Sequence, residues 1–177
     1  MKNVKKLIIG SAGKKHPDAI TLDIDPEHHP DVVHNIETSP WPFEDNAFQK
    51  IVAHHILEHV SQLSVVMSEM HRVCAQDGEI HIEVPHHTSW MAYDPAHLTY
   101  FNYFSLDSYL HNKDTWVHGR KFACLNQELT FHRFFRSCGL QKIFNRWPLM
   151  YERFFCYRCP AEHIKFVLRP HHTKSIN

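Results

Sequence analysis

The stretch from Ile20 to His87 constrains this chain more than any other. Four short apolar runs lie within it: ITLDI (20–24), DVVH (31–34), KIVA (50–53) and EIHIEV (79–84). Runs of this length, bounded by turn residues, read as strands. Between the last two, Leu63, Val66, Met67, Met70 and Val73 recur at helical spacing. That spacing buries one helix face, with Ser61 as the expected N-cap. Strands joined through a helix imply right-handed crossovers and a largely parallel sheet. Polar residues stand at the C-terminal ends of these runs, where an open α/β sheet forms its ligand crevice.

The flanks extend the pattern. Lys6–Gly10 (KLIIG) reads as a first strand entering a turn over Gly10–Gly13. Ser39-Pro-Trp-Pro-Phe reads as loop, because two closely spaced prolines deny helix and central strand alike. Asp77-Gly78 is expected to end the helical unit before the fifth strand. Pro85–Tyr109 lacks periodicity but carries seven aromatics and His86, His87 and His97, so an ordered functional loop is expected. Glu128–Ser137 reads as helix with an exit turn at Cys138-Gly139-Leu140. Leu140–Arg146 and Glu162–Leu168 read as two final strands.

A chain of 177 residues is long enough for one well-buried core, so a single domain over 1–177 is expected. A formal net charge of zero offers no basic field for a nucleic acid. No apolar run approaches the roughly 20 residues that span a bilayer. The five cysteines are odd in number and no leader is evident, which fits a reducing, cytoplasmic setting. Cys156 and Cys159 form a lone C-x-x-C followed by His163. Without a second close pair they read as small buried residues rather than a zinc site. Histidine is abundant, at 18 residues, so the chain becomes strongly cationic in mild acid. Most of these, including His28, His29, His171 and His172, read as surface or loop residues.

An acidic residue ending a strand some ten positions after a glycine turn has a physical use. Asp23, with Asp25 as the second choice, can accept both hydroxyls of a ribose. The glycine turn lets backbone approach the same ligand. Asn35, after the third run, can meet an adenine edge.

Taken in order, these pieces resemble the small class I S-adenosylmethionine-dependent methyltransferases. The matching segments are LDIDP (22–26), HNIETSPWPFEDNAFQKI (34–51), HHILEHV (54–60) and EMHRVCAQDGEIHIEVP (69–85). YDPAHLTYFNYFSLDSY (93–109) and YERFFCYRCPAEHIKFVLR (151–169) are similar to the loop and terminal strand of a bacterial subgroup. The resemblance implies an α/β, Rossmann-like, mostly parallel sheet of about seven strands. It implies an antiparallel last strand, helices on both faces, and the aromatic, His-rich loop 85–109 over the pocket. It implies S-adenosylmethionine as cofactor, held by Gly10, Ala12, Asp23, Ile24, Asn35, Ile36 and His54. Three positions depart from the family pattern. The acidic-x-Gly-x-Gly loop here has Ile8 for the acid and Ala12 for the second glycine. Asn35 replaces the adenine-side acid, and Cys74-Ala-Gln-Asp-Gly78 replaces Leu-Lys-Pro-Gly-Gly. Weak cofactor binding is therefore expected. With no helix ahead of the first strand, the pocket is expected to be open or covered by a second copy in a homo-oligomer.

His55, His86 and His97 are the expected catalytic residues on the pocket rim, because a base of pKa near 7 helps a hydroxyl or amine acceptor. The run His55-x-x-Glu58-His59 is also similar to the Glu-x-x-Glu-His run of small-RNA 3′-end 2′-O-methyltransferases, which holds a divalent cation. An alternative metal set is therefore His55, Glu58 and His59 with His86, or with His87 or His97, suited to Zn²⁺, Fe²⁺ or Ni²⁺. The leading expectation is metal-free methyl transfer to a small-molecule or glycan-type acceptor. The alternatives are an inactive binding protein of this fold and a His-cluster metal protein.

Overall fold

The computed structural model of the chain describes residues 5–14, 16–110 and 122–171. His172, read above as a surface residue, lies outside them. Seven strands form one sheet: β1 (Lys6–Ile9), β2 (Ile20–Asp23), β3 (Val32–Val33), β4 (Phe48–His54), β5 (Cys74–Pro85), β6 (Phe122–Phe131) and β7 (Ala161–Pro170). Their order is β3-β2-β1-β4-β5-β7-β6. The pairs from β3 through β5 are parallel, and β7 runs antiparallel to both its neighbours. The chain starts in the middle of the sheet, builds outward to β3, then returns beside β1 as β4. That reversal opens the crevice at the ends of β1 and β4.

β1 and β4 are buried because their side chains are apolar where the sheet is covered. Leu7, Ile9, Ile51 and Ala53 are all almost wholly excluded from solvent. Helix α1 (Leu63–Val73) crosses from β4 to β5 and buries Val66, Met67, Met70 and Val73, as its periodicity predicts. Its N-terminus is capped differently from expectation. Gln62, not Ser61, is the cap residue, and no side chain of its own serves it. Instead Glu37 Oε1 accepts from the backbone N–H groups of Ser61 and Gln62 and from the Ser61 hydroxyl. A carboxylate there satisfies free N–H groups and opposes the positive end of the helix dipole.

Several local expectations fail for identifiable reasons. Asp77-Gly78 does not end the helix, which stops at Val73; it lies within β5, which begins at Cys74 and pairs irregularly with β4 until Glu79 meets Lys50. Gly78 is needed because a Cβ there would come within 2.9 Å of both Cys74 Sγ and the Gln49 carbonyl. The third strand shrinks to Val32–Val33. Residues 128–131 are strand β6, paired to β7, and only α3 (Arg133–Ser137) is helical. Leu140–Arg146 is helix α4, not strand. It starts from Gly139 at φ 75° and turns Phe144 into a cluster with Phe131 and Tyr151. Two short elements, α2 (Asp107–Leu110) and a 3-10 turn at Trp90–Tyr93, interrupt the aromatic loop. A last short helix, α5 (Pro148–Met150), leads into a π-turn at Tyr151–Phe155. Cys156 is buried, as expected, and Cys159 half-buried.

One side-chain network fixes the loop before β4 against α1. Glu69 accepts from the Trp41 N–H at 2.7 Å and the Ser39 hydroxyl at 2.9 Å. Arg72 bridges Glu69, Asp45 and the carbonyls of Trp41 and Phe43. Trp41, almost fully buried, is thereby locked beneath the helix. Burial raises the Glu69 carboxyl, but Arg72, Trp41 and Ser39 outweigh it and hold it below 4.5. Its contribution is therefore full above that value and fades as pH falls through the lowered one. Glu69→Ala should cost about 2–4 kcal/mol in urea denaturation, since it strands Arg72 and the Trp41 N–H. Glu69→Gln should flatten the acid limb of the stability profile. A loss below about 1 kcal/mol, the scale of an exposed pair, would contradict this reading.

Candidate active site

Two clefts open at the C-terminal ends of the central strands and meet at His59. The first lies between β1 and β2 and is walled by Gly10, Asp23, Ile24, Asn35, Ile36 and Ile56. All but His54 and Ala12 of the expected cofactor residues line it. Those two line an adjoining cleft on the first-loop side, which shares Gly10. Gly10 sits at φ 70°, and a Cβ there would press to 3.0 Å from Ile56 Cδ1. Ala12 adopts φ 46° despite its side chain, a left-handed conformation that glycine would take without cost.

Asp23 is the polar centre of the first cleft. Its side chain is 9 % exposed. Burial alone would raise its pKa. The N–H of Asp25, the His28 imidazole and the N–H of Ala12 outweigh that and hold it below the ordinary carboxylate value. The group is therefore an anion presented to the cleft. His28 Nδ1 stands 3.2 Å from Asp23 Oδ2, which also accepts from Ala12 at 3.3 Å. Among the described residues Oδ1 accepts only from the Asp25 N–H, at 3.1 Å. Asp23 thus has acceptor capacity left at Oδ1, and more if the exposed His28 swings away. Sequence reasoning treated His28 as a surface residue. The signal for its role was Asp25-Pro26, which caps a 3-10 turn and folds His28 back onto the strand end. Ile24, 64 % exposed, and Asn35 offer an apolar face and an amide beside this anion. An adenosine fits that donor and acceptor set: a ribose on Asp23, an adenine between Ile24 and Asn35.

The second cleft is lined by His55, Glu58, His59, Trp90, Met91, Tyr93, Asp94 and His97. The LEH turn forms its floor. His55 closes β4 at φ 52°, and its N–H donates to the Glu83 carbonyl. Glu58 is fully buried, and its carbonyl accepts from Leu98 and Thr99, tying the turn to the aromatic loop. Its Oε1 lies 3.2 Å from His55 Nδ1, whereas Oε2 is buried with no hydrogen-bond partner among the described residues. The Glu58 hydrogen bond is the main reason the His55 pKa stands above 6.5; burial opposes it and the charges of Glu58 and Glu83 add to it. His163 packs edge-on against His55 at 5.0 Å.

His59 and His97 pack edge to face at 4.6 Å. Each points Nδ1 at a backbone carbonyl, of Ala96 and Ala92 respectively. A carbonyl only accepts, so each Nδ1 carries a proton, and Nε2 is the atom the neutral ring offers to a ligand. One ligand atom from each of Glu58, His59 and His97 lies within 4.8 Å of the others. His55 groups instead with Glu83 and His163. His86 joins neither set. It is fully buried, bonded to Glu152 and Thr88, and groups with His87 and Glu152. Of the expected rim residues, the fold therefore brings together His55, Glu58, His59 and His97, and sets His86 apart. Trp90, Tyr93 and Asp94 are additions that sequence reasoning did not single out by role.

Comparison with known proteins bears on the fold. Residues 12–82 match the family model described as a methyltransferase domain. An S-adenosylmethionine-dependent methyltransferase from Archaeoglobus fulgidus is similar at 15 % identity over 93 % of this chain and 85 % of that one, with TM-score 0.61. The [4+2]-cyclase SpnF is similar at 15 % identity over 94 % and 75 %, with TM-score 0.61. Coclaurine N-methyltransferase, bound to N-methylheliamine and S-adenosylhomocysteine, is similar at 8 % identity over 96 % and 68 %, with TM-score 0.58. No curated protein matches the chain in sequence. Among the described residues no helix is long and apolar enough to cross a membrane. With this strand order the chain shares the Rossmann-like, mostly parallel fold of these solved structures, and residues 12–82, from the first loop into β5, match a methyltransferase domain.

Proposed function

We propose that the protein transfers a methyl group from S-adenosylmethionine to a small-molecule or glycan-type acceptor in the second cleft. The observation that carries this reading is the junction at His59 of an anion-centred, partly apolar cleft with a His- and aromatic-lined one. The cofactor supplies an electrophilic methyl on a sulfonium, so the chain's own task is alignment, exclusion of water and proton removal. Asp23, Ile24 and Asn35 hold the adenosine portion. Trp90 and Tyr93, 82 % and 67 % exposed, offer flat faces for an acceptor ring. His55 keeps its Nδ1 on Glu58 and takes the acceptor proton at Nε2, the arrangement of an oriented general base. His97 fixes the far wall.

Asp23→Ala should weaken S-adenosylmethionine binding by about 1.5–3 kcal/mol in calorimetry, the scale of hydrogen bonds to a charged group. The wild type itself should bind more weakly than low micromolar, because Ala12 and Ile8 stand where the family has glycine and acid. No binding at millimolar cofactor would end this reading. Unchanged affinity in the variant would end the Asp23 assignment. Cofactor binding without transfer to any acceptor would favour a non-catalytic protein of this fold.

A second reading of the same cleft has a specific observation behind it. The unpartnered Glu58 Oε2 and the two carbonyl-anchored imidazoles of His59 and His97 make a donor set for Zn²⁺, Fe²⁺ or Ni²⁺. The two readings part on pH and chelator. With His55 as base, transfer should rise with pH through a value above 6.5, because only neutral imidazole accepts a proton. Glu58→Gln weakens the hydrogen bond and removes the charge through which Glu58 raises it, so the inflection should move to lower pH. Chelator should change nothing. Loss of transfer with chelator, with stoichiometric metal that disappears in His59→Ala, would replace this account with the metal one.

A further inference from the structure

The segment from His132 to Pro160 lies over the β6–β7 side of the sheet and carries a charge of its own. It holds six Lys and Arg and one acid, in a chain whose formal net charge is zero. That acid, Glu152, is turned inward, bonded to His86 and to the Tyr103 N–H. The six cations are Arg133, Arg136, Lys142, Arg146, Arg153 and Arg158. All are exposed, and none forms an ion pair among the described residues.

Large apolar side chains project from the same segment. Phe134, Trp147, Leu149, Phe154 and Tyr157 are each more than half exposed, and Ile143 is 42 % exposed. Helical spacing sets the two kinds side by side. On α4, Lys142 and Arg146 form an i, i+4 stripe, with Ile143 beside it and Trp147 at the helix's C-cap. The inward face of the layer is already committed: Phe144 and Tyr151 pack on each other and on Phe131. The outward residues therefore add nothing to the core, and leaving them in water is a cost that only a partner removes.

We infer that this face docks the protein on an anionic lipid surface. Trp, Phe, Leu and Ile interleaved with unpaired cations match the boundary between acyl chains and anionic headgroups. The cations complement lipid phosphate, and the apolar groups enter the boundary. A single-stranded nucleic acid would use the aromatics and cations but gives Ile143 and Leu149 nothing to pack on. An acidic protein partner is an outcome that the test below separates. Tyr157 also stands edge-on to His87, at the base of the loop that carries Trp90 and Tyr93. The inference does not depend on methyl transfer.

The test is co-sedimentation of the full chain with phosphatidylcholine vesicles, with and without one-third phosphatidylglycerol, at low and high salt. The wild type should sediment with the anionic vesicles at low salt and be released by high salt. Arg146→Glu and Arg153→Glu should each weaken partitioning at least about fivefold. Trp147→Ser should weaken it about tenfold, with far-UV circular dichroism unchanged in all three. No sedimentation with anionic vesicles would overturn the inference. So would sedimentation that salt and these variants leave untouched, or binding of polyuridylate or polyglutamate in preference to the vesicles.

Discussion

Glu58 is a fully buried acid with one oxygen beside His55 and the other without a partner. An unmet buried oxygen costs on the order of 1–3 kcal/mol, so the surrounding structure must over-determine its position. It does. The backbone carbonyl of the same residue accepts from Leu98 and Thr99, and its neighbours Leu57 and Val60 are buried in the core. One residue thus orients the expected base, anchors the aromatic loop and faces the cleft. Removing its carboxylate would take away the hydrogen bond and the charge that, with Glu83, raise the His55 pKa.

The sheet supplies the other half of the site. Reversal of strand order between β1 and β4 brings the Gly10 turn, the Asp23 strand end and the LEH turn to one edge, although 35 positions separate Asp23 from Glu58. Asp23 stays ionised because backbone N–H groups and His28 outweigh its desolvation. His28 Nδ1 stands 3.2 Å from Asp23 Oδ2, so a ligand that bonds that oxygen exchanges one hydrogen-bond partner for another.

Much of this was legible in the sequence because it is periodic or punctuated. The α1 stripe from Leu63 to Val73, the Asp23 strand end and the β4 run each have one dominant signal, and each lies where that signal puts it. The failures cluster where local signals are ambiguous. LQKIFNR at 140–146 carries only three apolar residues, which a short strand or a short helix can use equally. Packing of Phe144 on Phe131 decides the matter, and that contact is non-local. Residues 128–131 follow β7 into the sheet because pairing overrides propensity. His86 and His97 look alike as loop histidines. One turns inward to Glu152 and the other into the cleft, and spacing alone carries no record of that choice.

The central claim is that the cleft between β1 and β2 takes the adenosine half of the cofactor and opens toward His55. A crystal structure of the protein soaked with S-adenosylhomocysteine tests it most directly. The account predicts the ribose hydroxyls on Asp23 with His28 displaced, the adenine against Ile24 and Asn35, and the sulfur end facing the His55 cleft. Density for the ligand at any other place, or a ribose that leaves Asp23 bonded to His28 and untouched, would contradict it.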